Sequence, residues 1–276
     1  MIALLFHLSC DTPFWLIKNG NVMRFSSERL LIRLFYGPNQ IQYQALPIAN
    51  KIQSDQIGLF SFQRLSIVTL SLPLFGFVFC IFWSLFFNFT DSTSTHCGVN
   101  NYLPSVSASI GSFAPQKYFW RSTVAVHSTP RFLVSYVYYR SLHRSKCLFT
   151  INWIEISALL GLSVVSSTES FLFHAYCFLI FILTSFFGML LHLFQDELWS
   201  RLKLRLFCYN TCSWIFALIF YIRHNSHCET GIYTLFALAE YVFVLTNMIF
   251  HFQAYYDLKS IYFTFGDANF NTKISI

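Results

Sequence analysis

Histidines and carboxylates are the side chains most often used to move protons at a reacting group. In this sequence they fall inside or beside long apolar stretches. Tyr233, Glu240, Val244, Asn247 and His251 follow one another at i+7, i+4, i+3 and i+4, so they share one helical face. His127 and Arg131 are i, i+4 in a second stretch, with Pro130 between them, and Glu155 sits in a third. His96, Glu169, His174, His224 and Glu229 lie near the ends of such stretches. General acid–base chemistry at a hydroxyl is within reach of this set. Other chemistries lack their motifs. The sequence has no HExxH or HxxxH spacing, no P-loop and no G-x-S-x-G elbow, and its cysteines form no CxxC pair. No metal and no cofactor is therefore expected. Each residue also has a plainer reading, because intramembrane polar groups often serve as hydrogen-bond seams between helices. Residue type leaves both readings open.

The elements that must position these groups follow from composition. Of 276 residues, 55% are hydrophobic and 11% charged, where soluble domains carry about 25% charged residues. That balance predicts an all-α fold, a polytopic membrane bundle. The net charge of +6 is modest, and no basic face with interleaved aromatics stands outside the apolar stretches, so no nucleic-acid partner is expected. Six spans are predicted at 65–87, 118–138, 150–168, 171–193, 206–222 and 232–252, the second interrupted by charges. Residues 1–63 read as a cytosolic, poorly ordered extension, 64–257 as the six-span domain and 258–276 as a cytosolic tail. The opening apolar run is too short to span and lacks the basic residues of a cleavable signal.

Basic residues alternate between the connections. The N-terminal side has Arg64 and five further bases, the 88–117 loop only Lys117, and the 139–149 loop has Arg140, Arg144 and Lys146. The 168–171 turn has none, 194–205 has Arg201, Lys203 and Arg205, 223–231 has Arg223, and Lys259 and Lys273 follow the last span. The positive-inside rule then puts both termini in the cytosol and loops 88–117, 168–171 and 223–231 on the lumenal side. Cys97 and Cys228 are the two cysteines in those loops, which predicts a disulfide there. Pro130 removes a backbone donor from span two and predicts a kink. Depth can be counted too. Arg131 lies twelve residues before His143, near the centre of the loop between spans two and three, and Glu155 twelve after it. An antiparallel hairpin brings both to one depth, and pairing is the way to bury both charges. Counted from the lumenal ends, His127 and Glu240 also share a depth.

Four strings extend the reading: THCGVNNYLPSVSASIG (95–111), WRSTVAVHSTPRFLVSY (120–136), VVSSTESFLFH (164–174) and RHNSHCETGIYTLFALAEYVFVLTNMIFHFQAYYD (223–257). Together they resemble members of the Frag/DRAM/Sfk family of multispan membrane proteins that act on glycosylphosphatidylinositol (GPI) anchors. The resemblance covers about residues 65–257. It implies a multi-pass protein of Golgi or endoplasmic reticulum membranes, with GPI-anchored proteins and lyso-GPI lipid as partners. The implied reaction is remodelling: another factor removes an unsaturated sn-2 chain, and a saturated chain is returned to the lyso-anchor from a donor the sequence does not name. His127 with Glu240, and His174 with Glu169, are the candidate catalytic groups. Arg121, Arg223, His224 and Asn247 match the family pattern and are candidate substrate contacts. Cys97, Cys228, Arg131 and Glu155 are candidate structural residues. Two classes of function stay open: an acyltransferase, or a non-enzymatic subunit that presents lyso-GPI to a separate enzyme.

Overall fold

Long apolar runs in a bilayer can satisfy their backbone polar groups only within themselves, which selects helices. The computed structural model describes residues 14–18, 21–25, 44–45, 59–195, 201–259 and 261–264. It contains six long helices: α1 (Phe62–Phe87), α4 (Gln116–Ser141), α5 (Lys146–Val164), α6 (Phe171–Gln195), α7 (Arg201–His227) and α8 (Ile232–Phe252). Two short helices, α2 (Phe89–Thr93) and α3 (Val106–Gly111), lie in the connection after α1, and α9 (Ala254–Asp257) follows α8. Residues 66–254 form one unit, and it is all-α. Among the described residues, five helices are long and apolar enough to cross a membrane: α1, α5, α6, α7, and α8 with its extension to Asp257. The chain is a multi-pass membrane protein.

The sixth long helix, α4, matches its neighbours in length but not in apolarity. The reason is visible in its burial pattern. Gln116, Trp120, Thr123, His127, Arg131, Val134, Tyr138 and Ser141 are buried at steps of three or four, a largely polar stripe turned inward. Tyr118, Val126 and Leu133 face outward. Pro130 lies inside a helix that continues on both sides of it, and so does Pro73 in α1. The predicted 194–205 loop is shorter than expected: α6 runs to Gln195, and Arg201, Lys203 and Arg205 already belong to α7.

Packing joins the helices in overlapping groups. Phe77, Cys80 and Ile81 of α1 meet Ile110 of α3 and Trp120 and Val124 of α4, with Tyr241 and Met248 of α8 against them. Ala158, Phe181, Ile182 and Phe243 form a second group from α5, α6 and α8, and Met189, Leu206 and Phe250 a third from α6, α7 and α8. Gly76 permits the close approach of α1 to α4, because a Cβ there would collide with the Thr123 hydroxyl. Ser145 caps α5 by accepting from the Leu148 N–H at 3.2 Å, and the Gln195 side chain at the end of α6 brackets the same serine.

A second unit comprises residues 1–65 and 255–276. Its described part contains a sheet of order β3-β2-β1-β5-β4, all antiparallel: β1 (Phe14–Lys18), β2 (Asn21–Phe25), β3 (Gln44–Ala45), β4 (Leu59–Ser61) and β5 (Ile261–Thr264). Composition alone predicts a poorly ordered extension and a separate tail. The structure instead places strands from both in one sheet. The cause is local. FWLIK and NVMRF flank Asn19-Gly20, a dipeptide that favours a two-residue hairpin connection, and Lys18 pairs with Asn21. The rest of the extension, the 196–200 connection and the tail after Thr264 lie outside the described residues.

Candidate functional site

The connection between α1 and α4 is anchored to the start of α8 at several points. Cys97 and Cys228 form a disulfide with Cα atoms 5.2 Å apart. The Gly231 N–H donates to the Asn100 carbonyl, the Tyr102 N–H to the Thr234 hydroxyl at 2.8 Å, and the Val106 N–H to Glu240 Oε2 at 3.0 Å. Gly231 takes φ +79, a left-handed conformation that glycine adopts without penalty, and so lets α8 begin directly after the turn. Ser105 caps α3 by accepting from the Ala108 N–H. These contacts fix α3 against the helices.

Beneath α3 lies a cavity of about 530 Å³, within the range of sites that hold small molecules and lipids. Its wall is mostly apolar, from Phe171, Phe178, Phe181, Phe243 and their neighbours. On α6 it extends from Phe171 to His192, which at 1.5 Å per residue is roughly 32 Å of helix. Its polar wall includes Ser107, His127, His174, Glu240, Asn247 and His251. At the end remote from α3, Lys203 of α7 also contributes.

The sequence candidates separate into groups. His127 is buried, with Nδ1 lacking a hydrogen-bond partner among the described residues. It shares the cavity wall with Glu240, but Glu240 is engaged by the Val106 N–H. His174 and Glu169 have different partners. Glu169 accepts from Arg121 at 2.6 Å and from the Ser166 N–H at 3.0 Å, and the Arg121 hydrogen bond above all pulls its carboxyl down to about 2. The His174 ring instead lies between the Val165 carbonyl, 2.8 Å from Nδ1, and the Ser107 hydroxyl, 3.4 Å from Nε2. Among the candidate substrate contacts, Asn247 donates to Ser185 at 2.6 Å, joining α8 to α6 at the cavity wall. Arg121, Arg223 and His224 are not among the described wall residues. Arg223 pairs with Glu229 at 2.8 Å, and His224 Nε2 lies 3.0 Å from the Thr95 hydroxyl.

Arg131 and Glu155 meet at 2.8 Å, and His251 Nε2 joins the same Glu155 oxygen at 3.1 Å. The sequence places His251 on the polar face of α8 but gives no sign that it would be the third member of this cluster. It also gives no role to Ser107, to His192, which packs between Tyr138 and Phe250, or to Lys203. Ser107 could have been noticed only as one serine among several in SVSASIG. His96 lies with Cys97 and Cys228 so that their ligand atoms fall within 4.8 Å of one another. The two sulfurs are bonded to each other, which removes them as thiolate ligands.

Residues 61–261 match the family described as Frag1/DRAM/Sfk1/Cwh43P N-terminal domain. The chain belongs to this family. Among Frag1-family relatives, the chain is 38% identical to a Xenopus tropicalis protein named "Acyltransferase PGAP2", over 77% of this chain and 93% of the relative. It is 41% identical to "Post-GPI attachment to proteins factor 2" of Drosophila melanogaster, over 78% of this chain and 94% of the relative. A Caenorhabditis elegans protein of that same name is 36% identical over 79% and 94%. No solved structure matches this Frag1-family chain.

Proposed function

We propose that the chain remodels GPI anchors, and that it does so as an acyltransferase returning a saturated fatty acid to the sn-2 hydroxyl of lyso-GPI. The observation that carries this reading is the elongated apolar cavity, with proton-moving side chains along a wall buried inside a membrane bundle. An acyl chain needs a long apolar slot, and acyl transfer to a hydroxyl needs a base beside the reacting carbon. The names of the relatives, one an acyltransferase and others post-GPI attachment factors, agree with this chemistry. The anchor's glycan and attached protein are lumenal, and the disulfide-linked face is where oxidising conditions are needed. We therefore assign the reaction to the lumenal side of Golgi or endoplasmic reticulum membranes, with both chain termini cytosolic.

The test is reconstitution. Purified protein in liposomes, given lyso-GPI and a labelled saturated acyl donor, should produce diacyl GPI whose label is released by an sn-2-specific lipase. Asn247→Leu, which removes a polar group from the wall, should reduce that product. No product from the pure protein, with product restored by adding a fraction from membranes that lack it, would favour a subunit that presents lyso-GPI to another enzyme.

A further inference from the structure

The family reading names a substrate class but no nucleophile, and the acid–base candidates visible in the sequence include no hydroxyl or thiol to carry the acyl chain as an ester or thioester. We infer that Ser107 and His174 form a nucleophile–base dyad and that transfer passes through an ester on Ser107 Oγ. The inference rests on the acyl-transfer reading of the cavity and adds a covalent step to it.

Four observations support it. The first is distance. Ser107 Oγ and His174 Nε2 are 3.4 Å apart, and nucleophile–base contacts are often this loose before substrate binds. The second is the tautomer. His174 Nδ1 lies 2.8 Å from the Val165 carbonyl, which can only accept, so Nδ1 carries the hydrogen and Nε2 presents its lone pair to the serine. The carbonyl does the orienting that a carboxylate does in many triads. The third is access. Both side chains line the apolar cavity; His174 is buried and Ser107 only partly so, leaving the hydroxyl open to a chain in the slot. The fourth is rigidity. Ser107 sits in α3, held by the Ser105 cap, by the Val106–Glu240 hydrogen bond and by the disulfide of its connection. Such bracing keeps a reacting pair in register.

The reaction balances without redox chemistry. His174 Nε2 takes the Ser107 proton as Oγ attacks the carbonyl carbon of an acyl ester or thioester. The tetrahedral intermediate collapses, the bond to the donor's alcohol or thiol breaks, and Nε2–H protonates that leaving group. The sn-2 hydroxyl of the lyso-lipid then gives its proton to Nε2 and attacks the Ser107 ester. Oγ leaves and recovers the proton from His174. One ester is formed for each ester or thioester consumed.

The experiment uses the full-length protein in liposomes with two donor arms, a labelled long-chain acyl thioester and a labelled diacyl phospholipid. Peptide mass spectrometry after acid quench reads loading of Ser107, and conversion of lyso-GPI reads transfer. We expect wild type to carry one acyl group on Ser107 from at least one donor, and the arm that loads identifies the source. Ser107→Ala should abolish loading and reduce transfer to background. His174→Ala should lower the loading rate by about 10²-fold or more, the scale of losing a positioned general base. Ser107→Cys keeps a nucleophile, so it should load as a thioester cleaved by neutral hydroxylamine, which separates chemistry from misfolding. Ser157→Ala, on the outer face of α5, should behave as wild type. Wild-type transfer that survives Ser107→Ala, with no acyl group on Ser107, overturns the dyad and leaves the acyltransferase reading intact. Loading of Ser107 without transfer to lyso-GPI upholds the dyad and overturns the substrate. Absence of both overturns the two together.

Discussion

Two histidines on one cavity wall have different surroundings. His174, under the linked face, touches a hydroxyl and a carbonyl, both neutral. His251, in the last turn of α8, touches the carboxylate of Glu155, which is also held by Arg131. At the first site a proton can leave a hydroxyl and return without moving any net charge out of register. At the second, a guanidinium and a carboxylate are buried together, and each depends on the other to remain there. The partner of a histidine, more than the histidine itself, separates a group placed for chemistry from one that fastens helices.

That contrast can be broken most forcefully at the charged cluster. Arg131→Ala or Glu155→Ala leaves one charge buried without its counter-charge and should cost about 3–5 kcal/mol. The protein level and the unfolding temperature in detergent should both fall. Replacing both residues by methionine should recover much of the loss, because apolar isosteres often substitute for a buried pair. The double variant should also retain acyl transfer. If it folds normally but transfers nothing, the cluster belongs to the chemistry and the contrast fails.

A smaller effect is expected at the covalent link. Cys97→Ser with Cys228→Ser releases the connection that carries Ser107, and removing a disulfide that closes a long loop typically costs about 2–4 kcal/mol. Thermal unfolding should show the loss, and acyl transfer should fall further than stability alone explains, because α3 is no longer held over the cavity. Equal transfer at a temperature where both proteins are folded would show that α3 needs no such bracing.

The smallest effect belongs to the exposed pair. Glu169 has its carboxyl held at about 2 by Arg121 and the Ser166 N–H. A carboxyl depressed in the folded state contributes stability above its unfolded value near 4.5, and that contribution disappears as pH falls through about 2. Glu169→Gln should therefore lower the unfolding temperature slightly and equally at pH 7 and pH 5.5, and the difference should close only below about pH 4.5. A difference that closes between pH 7 and 5.5 would show that another group holds this rim together.

The bundle was largely legible before the structure. α8 occupies Ile232–Phe252, the span read from hydropathy, because about 20 apolar residues and a glycine turn mark its ends without ambiguity. Arg131 and Glu155 could be matched by counting along a hairpin, since a short loop fixes depth on both arms. Counting does not tell which helices stand side by side around a bundle, so His251 could not be assigned to Glu155. Ser107 and His174 are 67 residues apart, on a short helix and a long one that no loop length brings into register. Glu169 lies near His174 in sequence, yet the pairing goes to Arg121, because a salt bridge outweighs proximity along the chain. The pairing of β1 with β2 is encoded locally, in two apolar runs on either side of an Asn-Gly dipeptide, and composition, which averages over residues 1–63, does not show it.

The inward polar stripe of α4 has a consequence for biogenesis. A lone helix with Arg121, His127 and Arg131 leaves the protein-conducting channel reluctantly, since a central arginine costs about 2.5–3.5 kcal/mol on the insertion scale. Glu155 arrives only with α5, and the short turn between the helices delivers it to the right depth. α4 and α5 should therefore enter the bilayer as a pair, with α4 waiting at the channel until its counter-charge has been synthesised. A chain that stalls between Ser141 and Glu155 would expose an unpaired cation to the membrane.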